Sequence, residues 1–211
     1  MSQQTFYITT PIYYVNDKPH IGHAYTTILA DILARFHREK ESATFFLTGT
    51  DEHGQKVQSS AQERGIPPQK HCDQMVVHFK DAWSRLDINY DKFIRTTDDY
   101  HKKVVQKVLM ELYDKGEIYA DEYGGYYCVG CERFLTDKEL EEGDGKCPQH
   151  DKAPEYIEEK NYFFKMSKYQ EWLIDYIKNN PEFIQPEHRK NEVLGFLKQD
   201  LNDLCISRPK E

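Results

Sequence analysis

An α/β fold built on a parallel sheet, followed by a small metal-stapled module, is what the order of segments along this chain predicts. Three observations carry the prediction. Runs rich in β-branched and aromatic residues alternate with amphipathic segments of helical periodicity through the first half of the chain. Glycine-bearing loops follow the first two of those runs. Past about Glu117 the alternation stops, and four residues able to hold a metal cluster in the stretch that replaces it.

Thr5 to Thr10 reads as the first strand, and Pro11 to His23 as a loop. Ala24 to Lys40 reads as a helix, with Ile28, Leu29, Ile32, Leu33 and Phe36 forming the stripe expected to pack on the sheet. Ala43 to Thr48 is a buried-strand run ended by Gly49-Thr50-Asp51-Glu52-His53-Gly54, and Gln55 to Arg64 a helix stopped by Gly65. Pro67-Pro68 opens a helix reaching Leu86. Lys92 to Thr97 reads as a third strand, and Asp98-Asp99 caps a helix through Tyr113 whose apolar face is Val104, Val105, Val108, Leu109 and Leu112. From 117 to 159 no helical stripe is sustained. Asn161 to Phe164 is a short strand, Ser167 to Lys178 a helix, Glu187 to Leu197 another, and Leu204 to Pro209 a strand and turn. The partition expected is 1–116 for the sheet-bearing half, 117–160 for the metal insertion and 161–211 for the remainder. Since only half of a doubly wound sheet is laid down, the expectation is a truncated chain.

Length and composition narrow the classes. At 211 residues the chain can bury one good core, or a core with an inserted module. Its 28 Lys+Arg against 36 Asp+Glu leave a formal charge of −8, which argues against a broad sequence-independent grip on nucleic acid. Aromatic residues make up 13%, which argues for an ordered protein. No segment reaches the roughly 18 apolar residues that span a bilayer, and Met1 to Gln4 leads into a strand without a signal-peptide pattern. The expectation is a cytoplasmic protein without a membrane partner.

His20-Ile21-Gly22-His23 sits where the first strand gives way to the first helix. A helix N-terminus there offers unpaired N–H groups and the positive end of the macrodipole, which suit a phosphate. His20 and His23 add donors for charge that builds at phosphorus, and Gly22, lacking a Cβ, leaves room for a flat ring such as adenine. By composition alone the tetrapeptide arises in roughly one chain per hundred of this length. Asp51 closes the second strand. It is either a helix N-cap or a carboxylate holding a cation, and near a triphosphate that cation is a substrate amino group or a hydrated magnesium. Asp51 and His53 are expected to share a crevice with His20 and His23.

Cys128-Val129-Gly130-Cys131 and Cys147-Pro148-Gln149-His150 each place two residues between ligands, a Cys₃His spacing for structural zinc. Such a set closes a tetrahedron, leaves no open coordination position and braces a module too small for its own core. Cys72 and Cys205 lie outside it.

Thr9 to His23, together with Gly49 to Gly54, closely resembles the amino-terminal catalytic half of the class I aminoacyl-tRNA synthetases, within them the methionyl family. Cys128, Cys131, Cys147 and His150 match that family's single-knuckle connective insertion, and Asn161 to Phe164 and Ile206 to Pro209 match at the expected order. The resemblance implies the first half of a Rossmann-type parallel-sheet nucleotide-binding domain. It also implies ATP-dependent activation of L-methionine to methionyl-adenylate, with Mg2+ accompanying ATP, then transfer to tRNA(Met). By it, His20, Gly22 and His23 serve catalysis, Asp51 holds the methionine amine, and Ile12 and Tyr14 line the amino-acid site. Lys165-Met166-Ser167-Lys168-Tyr169 ends in Tyr and follows the knuckle directly. It is read as a strand exit with Ser167 capping a helix, so the family's Lys-Met-Ser-Lys-Ser loop would lie past Glu211 and the segment alone would be inactive. The isoleucine, valine, leucine and cysteine enzymes, and a small His-x-Gly-His nucleotidyltransferase, are the alternatives; a zinc module touching nucleic acid fits the acidic balance poorly.

Overall fold

The chain is seen in a computed structural model that describes residues 4–40, 42–131 and 133–207. It divides into two compact units, Met1–Gln106 and Lys107–Glu211. In the first, β1 (Thr5–Tyr14), β2 (Ala43–Asp51) and β3 (Lys92–Arg95) form a parallel sheet in the order β1-β2-β3. The crossovers are α1 (Ile21–Glu39), then α2 (Gln55–Glu63) with α3 (Pro68–Arg85). α4 (Asp99–Asp114) follows, and the boundary between the units falls within it. This parallel α/β arrangement is the one the sequence predicts.

β1 runs further than expected. The loop predicted from Pro11 is still strand as far as Tyr14, because the register with β2 shifts between Thr9 and Ile12. Proline has no N–H to give a ladder, so an irregularity at Thr10-Pro11 accommodates it without a lost bond. Beyond it Ile12 pairs with Gly49, Tyr13 with Thr50 and Tyr14 with Asp51, which fixes the two strand ends side by side.

The packing face of α1 is also corrected. Thr27, Ala30, Asp31 and Ala34 are the buried residues, whereas Ile28, Leu29, Ile32, Leu33 and Phe36 are exposed. Small residues let the helix lie close to the sheet, and two acids do work that an apolar stripe was expected to do. Asp31 accepts from Arg35 Nε at 2.6 Å and from the Asn89 N–H at 2.8 Å. Asp91 accepts from the Phe46 N–H at 2.7 Å and Arg38 Nη2 at 2.6 Å. The core beneath is Val15, Phe46, Val57, Met75, Phe79 and Trp83, half of them from α3. No residue of α4 is buried: of its predicted apolar face, Leu112 is half-buried and Val104, Val105, Val108 and Leu109 are exposed.

In the second unit β4 (Ile118–Cys128) and β6 (Glu155–Phe164) form a long antiparallel ribbon, flanked by β5 (Arg133–Phe134) and β7 (Leu204–Cys205) in the order β5-β4-β6-β7. Within the stretch expected to hold the metal knuckle, β4, β5 and the first part of β6 are paired strand. α5 (Asp137–Glu142) carries a capping box, with the Glu139 N–H bonded to Thr136 Oγ1 at 3.3 Å and the Thr136 N–H to Glu139 Oε2 at 2.9 Å. A 3-10 turn at Met166–Tyr169 precedes α6 (Gln170–Asn179), and α7 (Glu187–Phe196) follows. Ser167 does not cap α6 as predicted. Tyr169 holds that position, and the Ser167 hydroxyl donates instead to Asp203 at 2.5 Å. Arg208 and Pro209 lie outside the described residues.

Candidate nucleotide site and metal cluster

His20 is the N-cap of α1, with extended backbone at φ −116°. Its Nδ1 accepts the Gly22 N–H at 3.1 Å, while His23 Nδ1 accepts the His20 N–H at 3.2 Å. An imidazole nitrogen that accepts cannot carry the proton, so in the neutral rings both protons sit on Nε2. The helix end thus uses one edge of each ring for its own orphan N–H groups and keeps the other edge as a donor. The rings stack with centroids 3.8 Å apart. Burial, and then the nearby His20, hold the His23 pKa below its ordinary 6.5.

Gly22 has a local reason to lack a side chain. A Cβ there would stand 3.0 Å from Cε1 and 3.1 Å from Nδ1 of His20, so the N-cap imidazole itself occupies that direction. Tyr13 supports the pair from below: its hydroxyl is 2.8 Å from Thr27 Oγ1, and its ring centroid lies 4.7 Å from that of His23. Val15 is fully buried, and its carbonyl accepts from His71 Nε2 at 2.8 Å, which pins the turn leading to His20.

A hollow of about 480 Å³ opens here, lined by Pro11, Ile12, Tyr13, Tyr14, Asn16, Asp17, Lys18, His20 and His23. Ile12 and Tyr14, two apart on a strand, share its wall while Tyr13 between them is buried. Asp51 does not line it; it ends β2 beside Tyr14. His53 lines a second, smaller hollow with Thr96, His101, Lys102, Val105 and Gln106. Of the residues expected to share one crevice, then, His20 and His23 stand together with Ile12 and Tyr14, and Asp51 and His53 belong to the adjoining strand end.

Sequence reasoning missed the residues that hold that strand end. The Glu52 side chain is fully buried and takes a two-pronged bond from Arg95, Nε to Oε1 at 2.7 Å and Nη2 to Oε2 at 2.9 Å. A buried acid is invisible to periodicity. The available signal was Arg95 at the end of a short strand expected to lie beside the Asp51 loop.

In the second unit the ligand atoms of Cys128, Cys131, Cys147 and His150 all lie within 4.8 Å of one another. His150 Nδ1 faces all three sulfurs, at 3.8, 3.3 and 3.6 Å. Cys131 Sγ and Cys147 Sγ are 3.5 Å apart. For a tetrahedral ion with ligand bonds of about 2.3 Å the edges are about 3.8 Å, so this set fits a metal of that size. Gly130 makes the fit possible, since a Cβ there would stand 2.6 Å from His150 Cδ2. The thiols are unequal. Burial raises Cys147, but bonds from His150, Cys128, the Gln149 backbone and Cys131 bring it down to about 6. Burial and the neighbouring thiols push Cys131 up to about 12.

A family model for class I tRNA synthetases (M) matches residues 6–153 and 143–211. The methionine–tRNA ligase of Clostridium tetani is 56% identical over 209 residues, which are 99% of this chain and 32% of that protein. The Streptomyces coelicolor methionine–tRNA ligase is 49% identical, over 97% of this chain and 39% of its own length. The crystal structure of Mycobacterium tuberculosis methionyl-tRNA synthetase bound by methionyl-adenylate superposes with a TM-score of 0.91 at 40% identity, covering 97% of this chain and 41% of that one. The chain spans between about a third and two fifths of the length of these relatives.

Proposed function

This chain belongs to the methionyl family of class I tRNA synthetases, and we propose that it carries the part of a methionine–tRNA ligase that binds ATP and the methionine amine. The reaction is attack of the methionine carboxylate on the α-phosphate of ATP, giving methionyl-adenylate and pyrophosphate. Transfer of the methionyl group to the 3′-terminal adenosine of tRNA(Met) follows. The observation that carries the reading is the pair of Nε2–H donors of His20 and His23 at the start of α1, opening on the hollow lined by Ile12 and Tyr14.

Such displacement calls for orientation and charge stabilisation more than for a covalent protein group. His20 and His23 donate to the phosphate oxygens as charge grows in the transition state, backed by the helix N-terminus. Ile12 and Tyr14 wall the amino-acid side, and Asp51 receives the protonated amine. Mg2+ accompanying ATP would offset phosphate charge. Cys128, Cys131, Cys147 and His150 would hold one structural zinc, which would brace the insertion rather than take part in the reaction. Methionine having this reading supported by the relatives' names and by a relative's methionyl-adenylate complex, the test is ATP–pyrophosphate exchange by the full-length protein across a panel of amino acids. Methionine is expected to drive exchange, and His20→Ala to abolish most of it. Exchange driven better by isoleucine, valine, leucine or cysteine would overturn the substrate.

A further inference from the structure

Behind Asp51 the ends of β2 and β3 are joined by a polar assembly with no part in the chemistry proposed so far. The buried Glu52 carboxylate takes the Arg95 fork and also the hydroxyls of Thr50, at 2.7 Å, and Thr97. Arg95 reaches on to Asp73 Oδ1 at 2.7 Å, and its guanidinium is held charged, first by its bonds to Glu52 and against the cost of burial. Burying a charge pair gives little net stability compared with apolar packing. Its use here is better sought in what it orients.

Glu52 lies between Asp51 and His53, and the backbone of that turn is tied to the same strand end. The Glu52 N–H donates to Thr96 Oγ1 at 2.9 Å. The Thr96 hydroxyl proton then has two acceptors at the edge of reach, Asp51 Oδ1 at 3.5 Å and His53 Nδ1 at 3.4 Å. Arg95, Thr96 and Thr97 therefore grip 51, 52 and 53 alternately: the middle acid from the buried side, the outer two from the open side.

We propose that Thr96, with the Glu52–Arg95 pair behind it, is a positioning residue that presets the Asp51 carboxylate for the substrate amine. The inference rests on Asp51 receiving that amine. A carboxylate fixed in advance loses less freedom on binding, so the effect falls on ligands that carry the amine and spares ATP.

The experiment uses the full-length protein and two ligands, methionine and its des-amino analogue 4-(methylthio)butanoate. Thr96→Val, which keeps shape and removes the hydroxyl, is expected to raise the KM for methionine roughly tenfold, leave the KM for ATP unchanged, and narrow the preference for methionine over the analogue. Thr96→Ser restores all three. Arg95→Lys, which keeps the charge and loses the fork, moves them in the same direction as Thr96→Val. A Thr96→Val enzyme whose methionine KM stays within about twofold of the parent, or whose two KM values rise together, overturns the proposal. Asp51→Asn separates the two layers. Full preference for the amine in Asp51→Asn removes the role given to Asp51, whereas preference lost in Asp51→Asn and kept in Thr96→Val removes the clamp alone.

Discussion

His23 stacks on His20 at 3.8 Å between ring centroids, and each ring accepts a backbone N–H of the turn through its Nδ1. A proton added to either ring would place a charge against its neighbour, and adding one at Nδ1 would also break a cap. Burial and His20 accordingly lower the His23 pKa from 6.5. The unfolded chain then binds this proton more readily than the folded one, so its effect on stability is absent above pH 6.5. Stability declines as pH falls from 6.5 to the lowered folded value, and is flat below it. Denaturation midpoints across that range should fall less steeply in His23→Gln than in the parent. Parallel curves would remove His23 as the titrating group.

Replacing Cys147 by Ser should empty the metal cluster, because it removes one of only four ligands, a thiol whose pKa its neighbours lower to about 6. Metal analysis is expected to give one zinc per parent chain and close to none per variant. Amide exchange should then rise around 128–150, while the core around Phe46, Phe79 and Trp83 keeps its protection. Loss of protection at both places would contradict a purely local brace.

Gly49 has no room for a methyl group. A Cβ would lie 2.1 Å from the Ile94 carbonyl oxygen and 2.6 Å from Ile94 Cγ2, and the backbone oxygen cannot turn away while β2 and β3 stay paired. Gly49→Ala should cost about 3 kcal/mol or more, read as a drop in thermal midpoint. A drop under about 1 kcal/mol would show that the strands part easily.

His71 is 1% exposed and sits between the Val15 carbonyl and Arg64 Nη1, 2.8 and 2.9 Å away. His71→Leu keeps the volume and leaves both partners without their bond inside the protein. The expected cost is about 1–3 kcal/mol, together with a higher KM for ATP, since Val15 leads into the turn bearing His20. Chemical denaturation and exchange kinetics check the two halves. Unchanged ATP kinetics would confine His71 to stability.

The parallel sheet was legible because its strands and helices differ in period, and the metal cluster because ligand spacing survives in one dimension. The face of α1 was not. Periodicity marks Ile28, Ile32 and Phe36 as inward, yet the helix turns Ala30, Asp31 and Ala34 to the sheet, and only the partners Asn89 and Arg35 explain a buried acid there. The β4–β6 ribbon hid for another reason. Burial does alternate near its ends, but Gly125 and Asn161 stand at inward positions and Tyr126 and Tyr162 at outward ones, so residue type shows no apolar alternation to read. Around the candidate nucleotide site, His20, His23 and Asp51 stood out by residue type. Glu52, Arg95 and Thr96 act through contacts more than forty positions apart, which no local pattern contains.

Asp51 and Glu52 are chemically near-twins with opposite surroundings, and only the strand alternation at the end of β2 tells them apart. One residue inserted into β2 would turn Glu52 away from the Arg95 fork and bring the shorter Asp51 to it, and one deleted would bring His53, which offers that guanidinium no carboxylate. Length changes within that short run should therefore be tolerated far less than substitutions, however mild the added residue.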